Sequence, residues 1–143
     1  MYYIPKYFKI EEVTSPDICD PLDANQWFLF DDRILWTADR IRSRYGKIVC
    51  NTWLWNGQHT FRGFRPWSCQ VGSKRSQHKL GRALDLIPIE VTVDELRNEI
   101  IANPIREEFK FITAIESDVS WLHIDCRNYD KARNGLLIFS NRR

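Results

Sequence analysis

Apolar residues recur at Phe30, Ile34, Ala38 and Ile41, at spacings of three and four, with charges between them. That period predicts an amphipathic helix over residues 25–45, stopped by Gly46. Residues 1–25 carry Pro5, Pro16 and Pro21 and read as irregular, with one short helical turn near residues 10–13. Residues 47–51 read as a short strand. Residues 82–88 alternate and predict a second strand. Thr92 and Glu95 form a capping box ahead of a helix over 92–103, and Pro104 follows its end. Residues 109–116 and 121–127 predict two strands joined by the four-residue hairpin loop 117–120, and 136–140 a last strand. Helices beside an antiparallel sheet make the fold class α+β. No linker or repeat divides the chain, so residues 1–143 read as a single domain.

Strand alternation assigns faces. In "WLHIDCR", Leu122 and Ile124 take the core side, while Trp121, His123, Asp125 and Arg127 share the other. A four-residue hairpin would set Glu116 opposite Trp121, on that same face and diagonal to His123. In "SQHKLGRALDL", Gly81 can turn the chain, and Ala83 and Asp85 then share one strand face. His78, Asp85 and His123 can therefore converge on one point. Two nitrogens and one oxygen with an open fourth position is the plan of a catalytic zinc site. Spacing alone still leaves the plainer reading in front, since most such residues are surface pairs or satisfied core groups. Asp125 could simply pair with Arg127, Glu116 and Asp118 could be turn residues, and His59 reads as a loop residue.

Composition narrows the alternatives. The 143 residues are 43% hydrophobic and 28% charged, values typical of a globular chain able to bury one core. A formal charge of +2 implies no particular partner. The loop-rich segment 52–82 is electropositive and rich in tryptophan, and a nucleic-acid surface is a poorer reading of it than the wall of a metal site. No signal peptide is read in "MYYIPKYFKIEE", and no apolar run approaches a membrane span. The cysteines Cys19, Cys50, Cys69 and Cys126 lack CxxC spacing and read as reduced thiols.

"SQHKLGRALDL" resembles the SxHxxGxAxD signature of the zinc D-Ala-D-Ala carboxypeptidase and L-alanyl-D-glutamate endopeptidase family. "WLHID" resembles that family's second signature, and the 45 residues from His78 to His123 fit its spacing. "RPWSCQVGSKRSQH" is similar to the segment in which an arginine precedes SxH. The likeness covers about residues 47–127 and is strongest to small phage or prophage members. It implies the α+β fold shared by these peptidases and the hedgehog signalling domain, with Zn2+ held by His78, Asp85 and His123. It implies Arg65, ahead of Arg62, as the group that grips a substrate carboxylate. Many members carry an acid three residues before the second zinc histidine, where this chain has Ser120, and some a histidine where it has Trp121. Glu116 is then the first choice of general base, Asp118 the second, and Asp125 a group that orients a ligand. The resemblance implies hydrolysis of peptidoglycan peptides by a phage lysin, made in the host cytoplasm if phage-encoded and acting on the wall after release. Trp53, Trp55 and Trp67 are candidate cleft walls or core residues. The partner expected is a peptidoglycan peptide, with no nucleic acid and no membrane, and the protein is expected to be a monomer. The rival reading is a non-catalytic zinc-binding virion or interaction module.

Overall fold

The computed structural model describes residues 3–141, so the outermost residues of the 1–25 and whole-domain readings lie outside it. The predicted helix over 25–45 is divided. Residues Ala24–Leu29 form a 3-10 turn, Phe30 is extended, and α1 runs over Asp32–Tyr45. Asp31 makes the break, because its carboxylate accepts from the Arg33 amide and caps α1, while its own amide donates to the Gly81 carbonyl. Phe30 is buried and meets Phe64 edge-on at 6.0 Å, so its match to the helical period comes from tertiary packing. Gly46 ends α1 as expected.

The strands are β1 (Ile48–Val49), β2 (Ala83–Pro88), β3 (Ala114–Glu116), β4 (Leu122–Asp125) and β5 (Leu137–Phe139). Between β2 and β3 lies α2 (Val93–Ala102), which starts from the Thr92–Glu95 capping box. The strand predicted over 109–116 is shorter than expected. Glu107–Phe109 is a 3-10 turn that sinks Phe109 into the core, and pairing starts only where the Thr113 amide donates to Asp125.

The five strands lie in the order β1-β2-β4-β3-β5. The sheet is mixed, which corrects the antiparallel expectation: β3 and β5 are parallel, and the other neighbours antiparallel. The cause is the connection after β4. It carries the short helix α3 (Lys131–Asn134) and returns the chain past β3, so the last strand runs alongside β3 in its own direction.

One sheet face is apolar. Leu84, Leu86, Ile115, Leu122 and Ile124 are fully buried, in one cluster with Ile34, Leu35 and Ile41 of α1 and Leu96 and Ile100 of α2. The opposite face carries Asp85, His123, Asp125 and Glu116, and it too is covered, all four being at most 7% exposed. Arg65 and His78 of the segment 61–82 meet it at Asp85, Phe139 and Arg127 at His123 and Asp125, and Asn141 at Glu116. The segment 61–82 is fastened by the Phe64 amide to the Val13 carbonyl and by the Asp85 amide to the Arg62 carbonyl, while the Arg82 amide closes its last turn on the Gln77 carbonyl.

Gly81 is where this segment turns into β2. Its φ is +66°, and a Cβ there would collide with the Leu29 carbonyl. A left-handed non-glycine residue costs about 1–2 kcal/mol, and forced overpacking about 1–3 more. Gly81→Ala is expected to lower unfolding stability by about 2–5 kcal/mol in urea titrations. A loss below about 1 kcal/mol would mean that the Leu29 backbone yields freely.

Candidate metal centre

Each fixed position of "SQHKLGRALD" has a local task. Ser76 caps the 3-10 turn Gln77–Leu80, its hydroxyl accepting from the His78 amide at 3.2 Å. The turn delivers a buried His78 ring, and Gly81 closes it in the left-handed conformation. Two residues along β2 from Ala83, Asp85 returns to the same face, directly paired with His123 of β4. Ala83 and Ala114 are both paired with Asp125, so two small side chains flank that carboxylate.

His78, Asp85 and His123 come together as expected. One ligand atom from each lies within 4.8 Å of the others, and all three residues are buried. His78 Nε2 is 3.3 Å from Asp85 Oδ2, and His123 Nδ1 is 2.8 Å from Asp85 Oδ1. The remaining ring nitrogens are tied elsewhere. His78 Nδ1 lies 2.8 Å from the Gly63 carbonyl, and His123 Nε2 lies 2.7 Å from Asp125 Oδ2. An imidazole whose far nitrogen donates to a carbonyl or carboxylate presents the near one as a lone pair, the usual arrangement of a metal-ligating histidine. The donor set therefore fits a divalent cation of the zinc type.

Electrostatics at the cluster are strongly coupled. Burial pushes the Asp85 carboxyl up, but His78 and His123 outweigh it and hold its pKa well below the usual range. Burial lowers the His78 pKa against the pull of Asp85. For His123, burial is outweighed by the hydrogen bonds to Asp125 and Asp85, which raise its pKa to about 9.

The cluster lies against a cleft of about 600 Å³. Arg65 lines it, with Nη2 3.4 Å from Asp85 Oδ2 and Nε donating to the Phe61 carbonyl at 2.7 Å. Arg62 is not among the lining residues and turns its guanidinium toward the Cys50 carbonyl. Trp53, Trp55 and Trp67 do not line it either. Trp53 donates to the Thr14 carbonyl, while Trp55 and Trp67 are exposed under Lys47 and Lys79. The tryptophan of the cleft is Trp121.

No family model, curated protein or solved structure matches the chain.

Glu116 reaches the cleft, but by a different register from the one expected. Ala114 pairs with Asp125 and Ile115 with Ile124, so one step further Glu116 stands across from His123 rather than Trp121. The β3–β4 loop has five residues, 117–121, and Trp121 lies outside the strand. The Arg97 guanidinium, anchored on α2, donates to the Val119 and Trp121 carbonyls at 2.8 and 2.7 Å and holds that longer loop, with Asp118 left-handed at φ 61°. Asn141 also comes to the site, donating to Glu116 Oε2 at 2.7 Å. Arg97 and Asn141 had no local signal in the sequence, because both act across 22 or more residues. Asp118 is exposed on the rim, and His59 is not a lining residue.

Cys19, Cys50, Cys69 and Cys126 are free thiols. Burial pushes the Cys126 thiol up to about 12, which makes it a poor nucleophile. Among the described residues no helix is long and apolar enough to cross a membrane.

Proposed function

We propose that the protein is a zinc-dependent peptidase that hydrolyses peptide bonds of peptidoglycan, in the manner of a small phage-type lysin. The observation that carries this reading is the convergence of two imidazoles and a carboxylate beside a cleft that also holds Glu116 and Arg65. His78, Asp85 and His123 would hold the metal. When bound, zinc supplies Lewis acidity toward a carbonyl and a water acidified toward neutral pH. Glu116 takes a proton in the cleft and returns it to the leaving amine. Arg65 grips a carboxylate of the stem or cross-link peptide through charge-assisted hydrogen bonds. Asp125 and the Gly63 carbonyl hold the two rings in register.

A non-catalytic zinc module is the second reading. It is favoured by the Asn141 amide, which already occupies one oxygen of the candidate base. Turbidity of purified bacterial cell walls separates the two. A peptidase is expected to clear them, to stop when a chelator is added and to resume when zinc is restored. Full zinc loading without release of new amino termini would sink the peptidase reading and leave the module.

A further inference from the structure

The geometry points to Arg127 as a positioning residue that acts through Asp125 to fix which nitrogen of His123 faces the metal. This inference rests on the zinc reading above. The Asp125 carboxylate is fully buried between Ala83 and Ala114. Arg127 grips it as a fork: Nε donates to Oδ1 at 2.8 Å and Nη2 to Oδ2 at 2.7 Å, and the Arg127 amide adds a bond to Oδ1 at 3.2 Å. The fork and the amide together hold both oxygens of this enclosed carboxylate in one orientation against His123 Nε2.

An ionised Asp125 is an acceptor only. His123 Nε2, 2.7 Å from Oδ2, must then carry the hydrogen. Nδ1 lies on the opposite edge of the ring, 2.8 Å from Asp85 Oδ1 and on the side of His78, so with Nε2 committed to Asp125 it is Nδ1 that is turned toward the metal position. A second restraint acts on the same ring. The Arg127 guanidinium lies over Phe139 at 4.6 Å, and Phe139 meets the His123 ring edge-on at 5.4 Å and 86°. Arg127 thus reaches His123 along two routes, by hydrogen bonds through Asp125 and by ring packing through Phe139. Lysine could supply the charge but neither the fork nor the flat stacking surface.

The experiment is zinc affinity of the full chain, by competition with a chromophoric chelator, for wild type, Arg127→Met and Arg127→Lys. Cobalt absorption spectra and metal-free melting temperatures accompany it. Arg127→Met is expected to weaken zinc binding about ten- to a hundredfold and to change the cobalt spectrum. Arg127→Lys is expected to recover only part of the loss, and it serves alone if the methionine variant does not fold. Wild-type affinity and spectrum in the variants, even with a lower metal-free melting temperature, would overturn the inference and make Arg127 a structural brace. Full recovery by lysine would overturn it too, because charge alone would suffice. A wild-type chain that binds no zinc would sink the zinc reading itself, and this inference with it.

Discussion

His78→Ala is expected to lower zinc affinity by more than about a hundredfold from a wild-type stoichiometry of one per chain. Four-ligand zinc sites bind with about 10–16 kcal/mol, so one protein ligand accounts for about 3 kcal/mol or more. His78 is a clean position to remove, since the ring makes a single hydrogen bond outside the cluster, to Gly63. His123→Ala should be as poor a binder but less stable, because it takes from Asp125 its imidazole partner and from Asp85 one of its two. Zinc must also displace a proton from His123, whose pKa in the metal-free chain is raised to about 9. Affinity should therefore rise about tenfold per pH unit up to pH 9 and level off above it. The metal-free chain behaves oppositely. A raised histidine pKa gives stability that is complete below about pH 6.5 and is lost as pH rises through about 9. Isothermal titration in buffers of differing ionisation enthalpy would count the proton. His78→Ala with undiminished zinc content would remove His78 from the ligand set.

What could be read from the sequence was whatever a local rule encodes. Thr92 and Glu95 predicted the start of α2, and the alternation around Leu84 and Asp85 predicted β2 and its faces. The SxHxxGxAxD spacing was legible because Ser76, Gly81 and Ala83 act within ten residues of His78 and Asp85. Failures came where a distant group decides. Asp31 binding to the Gly81 carbonyl broke a helix whose period was otherwise continuous. The Arg97 hold on Val119 and Trp121 lengthened the hairpin loop and moved Glu116 opposite His123. The direction of β5 depended on the path of residues 126–136, which no periodicity describes. The tryptophans of the basic loop looked suited to a cleft by composition, yet packing turned them elsewhere and brought in Trp121.

One step beyond the Ile115–Ile124 pair, Glu116 faces His123 directly across β3 and β4. Positions directly opposite on an antiparallel pair have β-carbons about 4.5–5.5 Å apart, closer than the diagonal expected from the sequence. Glu116 is 6% exposed, lines the cleft and stands across from a proposed zinc ligand. Glu116→Gln keeps the shape, and its amide oxygen can still accept from Asn141. Zinc content and melting temperature should stay at wild-type values while turnover of peptidoglycan peptides falls about a hundredfold or more, the range for a positioned acid–base group. Asp118→Asn should matter little, because the side chain is exposed and asparagine tolerates its left-handed backbone. Asp125 is a poor substitute base, since it is fully buried with its oxygens committed to Arg127 and His123. An active Glu116→Gln beside an inactive Asp118→Asn would move the base into the loop. Activity in both would leave the acidified water to act without a carboxylate from this hairpin.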